Sequence, residues 1–327
     1  MKRIVFIDIA KAICIILVVI GHYIPDNSPE WYVMLHYVIY TFHMPLFMFA
    51  SGYVYMATRK SEDTYVGFMT KKAKRLMIPY FATSIIVVTL KMLTQGNMAV
   101  DNPVSLTSYI KILYQPEAGY FLWFIWALWW MFLLVPLFKT SRQRMFLFLI
   151  SIALFCLPVT LPREFCLYEF KRMLVFFMLG VVSFEQKWLH DIICRFSAVQ
   201  ALSSIALFAM AQYVRHLCGG GIIMAVLLPC TGIAAVIEIS KWLCRQYRID
   251  GESKVLILSA SSYIIYLFHT TFEGLAKAVF QKLPIDSDVW YVFIPEALVV
   301  VTCGVVVPIL LYVVFKRYRI TKILFGL

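Results

Sequence analysis

Three polar side chains share one face of the first apolar segment: Asp8, Lys11 and His22. Lys11 and His22 are the only basic residues in the run from Ile9 to His22, which contains no acidic residue, and a lysine inside such a run is costly unless it has a partner or a function. Over this distance an α-helix rises roughly 16 Å in about three turns, which places both side chains on one face, and Asp8 lies one turn before Lys11. We interpret this face as a site in which His22 is a general base for a hydroxyl proton. The alternative is a structural ion pair and a hydrogen-bonded histidine at a helix end.

A second segment with histidines runs from His36 to Tyr53. His36 and His43 lie seven positions apart, which places them on one helix face. No third ligand follows at a useful spacing, so we do not expect a metal site. Pro45 should break or kink the segment, because proline cannot donate the hydrogen bond of a helix interior. We expect this break to present His43 to an interior cavity, as a substrate contact.

Two aromatic segments supply further candidates for contacts with a substrate. Trp123 lies near the outer end of a Trp-rich segment, where the alternative is an ordinary aromatic belt at the membrane interface. Tyr266 and His269 lie in the outer half of a later apolar segment, and histidine is rare as core filling within a membrane. The alternative for His269 is a hydrogen bond to a neighbouring helix.

A basic cluster, Lys71-Lys-Ala-Lys-Arg75, precedes the third apolar segment. Because the planar guanidinium of arginine binds phosphate through two hydrogen bonds, we interpret Lys72 and Arg75 as a phosphate site. The alternative is an ordinary basic flank of a membrane span. We expect the second basic cluster, residues 241–254, to be remote from this site.

Long apolar segments must position these residues. Of the 327 residues, 62% are hydrophobic and only 15% are charged, which is more apolar surface than a soluble domain buries. The segments are continuous rather than alternating, so the sequence predicts an all-α membrane bundle of about ten transmembrane helices in a single domain, 1–327. The predicted spans are 4–24, 33–56, 76–94, 120–138, 145–160, 171–186, 196–214, 221–240, 255–273 and 291–315.

The net charge of +12 is explained by membrane topology rather than by nucleic-acid binding. Most Lys and Arg residues lie in alternate connecting segments, and assigning these to the cytoplasm places both termini there. We therefore predict a multi-pass protein of the inner (cytoplasmic) membrane with no nucleic-acid partner. The eight cysteines form no close metal-type pair, so we expect free, buried thiols; the alternative is a disulfide between Cys156 and Cys166.

Taken in order, these segments resemble the acyltransferase 3 family, integral-membrane O-acyltransferases that modify bacterial surface glycans. The family signature is Arg or Lys, ten residues and then His, and Lys11 and His22 match it, with Lys11 where many members carry Arg. The block from Phe42 to Tyr53, Phe-His-Met-Pro-Leu-Phe-Met-Phe-Ala-Ser-Gly-Tyr, is similar to a second family block. Further similar blocks are Lys74–Phe81, Leu122–Phe124, Phe176–Gly180 and Ser262–His269.

The resemblance implies transfer of an acyl group, usually acetyl from acetyl-CoA, to a sugar hydroxyl, with acetyl-CoA as a substrate and no bound cofactor. It implies that His22 activates the acceptor, that Asp8 orients Lys11, and that Lys11 and Arg75 contact the donor. We expect one cavity crossing the bilayer to join the donor and acceptor sides. The alternative function is a transporter or flippase, which also places charges and kinked helices inside a bundle. The glycan acceptor and the oligomeric state stay open.

Overall fold

The computed structural model describes residues 4–26, 28–59, 64–96, 102–280 and 290–327. These residues form fourteen α-helices and four short 3-10 helices, with no β-strand among them, which confirms the all-α prediction. The α-helices are α1 (Val5–His22), α2 (Glu30–Tyr40), α3 (His43–Thr58), α4 (Tyr65–Thr94), α5 (Ser108–Lys111), α6 (Trp123–Leu134), α7 (Ser141–Cys156), α8 (Leu167–Glu185), α9 (Lys187–Cys194), α10 (Ala198–Cys218), α11 (Ile222–Gln246), α12 (Ile257–Phe280), α13 (Trp290–Phe315) and α14 (Arg319–Leu324). The 3-10 helices are Tyr120–Leu122, Val135–Leu137, Glu164–Cys166 and Lys254–Leu256.

Seven helical segments of the described chain are long and apolar enough to cross a membrane. They are Val5–His22, Glu30–Thr58, Tyr65–Thr94, Tyr120–Leu137, Ile222–Gln246, Lys254–Phe280 and Tyr291–Phe315. The number is eight if α9 and α10, which meet at 94°, form one broken span. A multi-pass helical membrane protein is therefore confirmed, whereas the predicted count of ten spans is not.

The difference in span count comes from α7, α8 and α10, which correspond to the predicted spans 145–160, 171–186 and 196–214. α7 has only 16 residues, whereas a span needs about 20. α8 carries charges that find partners inside the fold: Glu185 accepts from Nε of Arg144 at 2.9 Å, and Nζ of Lys171 donates to the carbonyls of Leu157 and Val159, each at 2.6 Å. α8 is therefore buried in the bundle although its ends are polar.

The first helix, α1, packs against α3, α11 and α12. Ile7, Ala10, Cys14 and Ile15 are completely buried on its inner side. Near its N-terminal end, α1 contacts the start of α12 through Asp8 and Ser259. At the C-terminal end of α1, His22 lies beside His269, which comes later in α12. α1 and α12 thus run side by side in the same direction, which positions both ends of the polar face of α1.

Glycines allow α3 and α8 to approach closely. A Cβ atom on Gly52 of α3 would lie 2.0 Å from the carbonyl oxygen of Phe177, and one on Gly180 of α8 would lie 2.1 Å from that of Phe49. Both distances are far shorter than any real contact, so only glycine fits at either position. Small residues of this kind let helix backbones pack directly in membrane proteins.

The predicted break before His43 is present. α2 ends at Tyr40 and α3 begins at His43, so that Pro45 falls in the first turn of α3, where a proline leaves no helix hydrogen bond unmade. The break turns the chain and buries the His43 ring, which is 3% exposed.

All eight cysteines lie among the described residues and are free. Cys14 and Cys166 are buried, as expected from the sequence. The expectation is wrong for Cys156, Cys194 and Cys218, which are exposed. Cys156 ends α7 and Cys166 precedes α8, and the two thiols are not joined.

Candidate active site

The N-terminal half of α1 faces a cavity of about 930 Å³, which we call the Lys11 cavity. Nζ of Lys11 lies 2.9 Å from Oδ1 of Asp8, and Oγ of Ser259 donates to the same oxygen at 3.1 Å. The predicted ion pair is thus formed and is held by α12. Residues lining the Lys11 cavity include Phe6, Asp8, Lys11, Tyr53, His190, Cys194, Lys241 and Arg245.

The C-terminal end of α1 faces a second cavity, of about 1010 Å³, which we call the His22 cavity. Four residues predicted from separate segments line it together: His22, His43, Trp123 and Tyr266. The rest of the wall combines aromatic rings with charged and hydroxyl groups, including Tyr40, Tyr120, Phe121, Phe176, Glu169, Arg172, Thr271 and Glu273. The fold thus assembles one pocket from residues far apart in sequence.

The His22 ring packs edge-on against the ring of His269, with centroids 4.9 Å apart and planes at 62°. His269 is completely buried, and its Nδ1 lies 3.0 Å and 2.9 Å from the carbonyl oxygens of Ile265 and Tyr266. Because carbonyls only accept hydrogen bonds, Nδ1 carries a proton, and Nε2 is buried without a hydrogen-bond partner among the described residues. His269 therefore lies behind His22, where it can fix the orientation of that ring.

The other two candidate histidines do not form a metal site. The His36 ring packs against Tyr40 at 4.1 Å, and Nδ1 of His43 donates to the carbonyl of Ile39 at 2.8 Å. Over the ranges that the structure describes, no three His, Cys, Asp or Glu side chains are close enough to hold a metal ion.

A packed layer separates the two cavities, whose linings share no residue. Lys11 is the last α1 residue in the lining of the first cavity and Val18 is the first in the second, a rise of about 10 Å along the helix. Cys14 and Ile15 between them are completely buried, and Sγ of Cys14 lies 3.0 Å from the carbonyl oxygen of His43. Along α1, the described residues therefore line two separate cavities where a single one crossing the bilayer was expected from the sequence.

The basic cluster on α4 lies apart from both cavities. Nζ of Lys72 sits 3.8 Å above the ring of Phe132, and neither Lys72 nor Arg75 belongs to either lining. The backbone of Arg75 instead lies against Gly326 in the C-terminal segment.

Two cations of α11, Lys241 and Arg245, line the same cavity as Lys11. Nζ of Lys241 contacts Oε1 of Glu238 at 2.5 Å and the carbonyl of Arg195 at 2.8 Å. Arg245 is exposed and lies over the ring of Phe196. The cluster at 241–254, expected to be remote, thus supplies the basic wall of the Lys11 cavity.

Two buried carboxyl groups of the His22 cavity were not among the sequence candidates. Glu169 at the start of α8 and Glu273 on α12 are 6% and 5% exposed, respectively. The hydroxyl of Tyr120 donates to Oε1 of Glu169. The sequence did contain a signal for Glu273, because a carboxylate within a predicted span is costly and rarely kept without a role.

Comparison with known proteins places the chain in a family. A family model described as an acyltransferase domain matches residues 4–313. The chain belongs to this acyltransferase family. The resemblance seen in the sequence is therefore confirmed, and with it the reaction class of the domain.

Two curated relatives are both named nodulation protein NolL. The protein from Mesorhizobium japonicum is 34% identical over 215 residues, which are 62% of this chain and 54% of the relative. The protein from Sinorhizobium fredii is 30% identical over 169 residues, 49% of this chain and 44% of the relative. The chain thus spans about half the length of the curated relatives it matches. No solved structure matches it significantly.

Proposed function

We propose that the protein is an inner-membrane O-acyltransferase that moves an acetyl group from acetyl-CoA to a sugar hydroxyl of a cell-surface or secreted glycan. One observation carries the proposal: the single helix α1 exposes Lys11 to one cavity and His22 to another. A polyanionic thioester needs cations, and the Lys11 cavity is lined by Lys11, Lys241 and Arg245. A sugar also needs flat apolar surfaces, and the wall of the His22 cavity is rich in aromatic rings, although it contains cations as well. The acyltransferase family supplies the reaction class.

The Lys11 cavity is the donor site in this proposal. The phosphates of CoA need cations, and Lys11 and Arg245 both line this cavity. Asp8 and Ser259 hold Lys11 in place, whereas Lys241 is already bonded to Glu238. Arg245 therefore takes the role that the sequence pattern assigned to Arg75. The positive-inside distribution assigns this side to the cytoplasm, where acetyl-CoA is available.

The His22 cavity is the acceptor site. His22 takes the proton of the sugar hydroxyl while the hydroxyl oxygen attacks the thioester carbonyl. The new C–O bond forms, the C–S bond breaks, and the proton passes to the departing thiolate of CoA. His269 fixes the His22 ring from behind, and His43, Trp123 and Tyr266 supply contacts to the acceptor.

The test is acyl transfer by the full chain in lipid nanodiscs. We expect release of the free thiol of CoA from acetyl-CoA, and transfer of ¹⁴C-acetyl from labelled acetyl-CoA to a glycan extract from the source cells. Empty nanodiscs give the background. The transporter alternative predicts no thiol release at any donor concentration, together with movement of glycan across proteoliposomes, and that result would overturn the proposal.

A further inference from the structure

Three residues in the wall of the His22 cavity carry buried polar atoms without partners among the described residues. Oε1 of Glu273, Oε2 of Glu169 and Oγ1 of Thr271 are fully covered, and none has a hydrogen-bond partner among the described residues. All three residues line the cavity. A buried carboxyl oxygen without a partner is costly, so such atoms are kept where a ligand completes their hydrogen bonds.

The neighbouring helix leaves room for the Glu273 side chain. A Cβ atom on Gly304 of α13 would lie 2.9 Å from Cγ of Glu273 and 3.1 Å from its Oε1. Any larger residue at position 304 would displace the carboxyl group. The packing of α13 on α12 thus accommodates the carboxyl group despite its missing partner.

Glu169 is held in position by one oxygen, whereas its other oxygen is buried and has no partner among the described residues. The Tyr120 hydroxyl donates to Oε1, while Oε2 has no partner in the described chain. Tyr120 itself lines the cavity. A carboxyl group fixed in this way is ready to accept a further hydrogen bond from a ligand.

Aromatic rings form much of the remaining wall. Tyr40, Phe121, Trp123 and Tyr266 line the same cavity as the two carboxyl groups. Flat rings pack well against the C–H faces of a pyranose, whose hydroxyl groups point outward at its edge and require acceptors. Carboxyl oxygens are strong acceptors, and an anionic group placed directly against one of them is disfavoured. The same lining also contains four cations, Lys91, Arg172, Arg215 and Lys277.

We propose that Glu169 and Glu273 bind hydroxyl groups of an uncharged pyranoside whose ring stacks on the aromatic wall. The assignment rests on the proposed function in one respect, because it takes the bound sugar to be the acceptor of the acyl group. It names the acceptor class as neutral sugar and disfavours a uronic acid whose carboxylate would lie against either glutamate.

Binding tests this assignment without requiring catalysis. The probes are p-nitrophenyl glycosides of neutral hexoses and of 2-acetamido hexoses, with p-nitrophenyl glucuronide as the anionic probe, and the readout is thermal stabilisation of the purified full chain. The variants are Glu169→Gln, Glu169→Met, Glu273→Gln and Glu273→Met. A methionine side chain has a similar length to that of glutamate and no strong acceptor, so it should fit into the space that the glutamate side chain occupies.

The matched control is Glu296→Gln, because Glu296 is also a buried carboxyl group but accepts a hydrogen bond from Tyr23 at 2.9 Å and is outside the cavity lining. We expect at least one neutral glycoside to stabilise the wild type and Glu296→Gln equally, and the glucuronide to do so at least tenfold more weakly. The methionine variants should bind the glycoside at least tenfold more weakly.

Equal binding by the methionine variants, preference for the glucuronide, or no stabilisation by any glycoside would overturn the assignment. If the protein binds sugar through these glutamates but releases no CoA from acetyl-CoA, the sugar site is supported and the proposed transfer reaction is refuted.

Discussion

The His22 ring has one side against His269 and the other toward a large cavity, so a single substitution can separate catalysis from packing. We expect His22→Ala to insert and fold normally but to lower acetyl transfer by about two to four orders of magnitude, as removal of a general base does. Transfer of ¹⁴C-acetyl by nanodisc-embedded protein measures the effect. His216→Ala, at an exposed histidine of α10, is the control. Near wild-type transfer by His22→Ala would contradict the role of His22 as the base.

Lys11 has a carboxylate partner, and two sets of variants separate its two roles. If Lys11 binds phosphate, Lys11→Ala should raise the KM for acetyl-CoA about tenfold or more, while Lys11→Arg should keep much of the activity because either cation reaches a phosphate. If the pair is only structural, replacing both partners in Asp8→Asn/Lys11→Met should be nearly silent. Donor titrations of the three variants distinguish the cases. An unchanged KM in Lys11→Ala would leave Lys11 as no more than the partner of Asp8.

Arg245 and Arg75 offer a direct comparison between the structure and the sequence pattern. Arg245 lines the cavity that holds Lys11, and Arg75 does not. We therefore expect Arg245→Ala to raise the KM for acetyl-CoA more than Arg75→Ala does, and Arg245→Lys to restore part of the loss, because lysine lacks the bidentate fork. A larger effect at Arg75 would return the donor site to the cluster on α4. Small and equal changes in the KM would mean that both arginines contribute only to the orientation of the chain in the membrane.

Residues on one helix were predictable from sequence, whereas contacts between helices were not. The Asp8–Lys11 pair follows from helical spacing alone, because three residues make about one turn. The contact of His22 with His269 depends on which helices pack on α1. So does the presence of the α11 cations in the cavity that Lys11 lines. Sequence periodicity does not contain that choice. Arg75 and Arg245 both satisfy the positive-inside pattern, so only the fold distinguishes them.

At the scale of helices, the contact between α3 and α8 depends on two glycines. We expect Gly52→Ala and Gly180→Ala each to destabilise the protein by about 1–3 kcal/mol, because the added methyl group meets a backbone carbonyl that cannot move aside. The measurement is the thermal unfolding midpoint in detergent, which should fall by a few degrees or more. Gly274→Ala is the control, since a Cβ there meets nothing within 4 Å. Equal midpoints for all three variants would show that α3 and α8 can separate at little cost.

Whole helices were predicted where they are long and apolar, and less well where charges are paired inside the fold. The strongly apolar segments at 4–24 and 291–315 correspond closely to α1 and α13. α8 was predicted to begin at 171, but it extends back to Leu167 and includes Glu169. The sequence alone does not predict that this first turn is helical and buried, because Glu169 is charged. Its hydrogen-bond partner, Tyr120, lies in a different segment of the chain.

For the whole molecule, the proposed transfer from a donor in the Lys11 cavity to an acceptor in the His22 cavity requires the packed layer at Cys14 to open. Because Cys14 is completely buried, we expect N-ethylmaleimide to modify it at least tenfold more slowly than the exposed Cys218 when no donor is present. Addition of acetyl-CoA should accelerate the modification of Cys14 and leave Cys218 unchanged. Peptide mass spectrometry of wild-type protein measures both rates. Turnover with no change at Cys14 would show that the acyl group takes a path that does not pass this layer.

The same layer has a bioenergetic consequence. A permanent water-filled passage through a membrane would conduct protons and dissipate the gradient that drives ATP synthesis. Cys14 and Ile15 are completely buried on the stretch of α1 between the residues that line the two cavities, and neither side chain carries a charge. A layer that stays closed between rounds of the proposed transfer would keep the membrane insulated while the enzyme is idle.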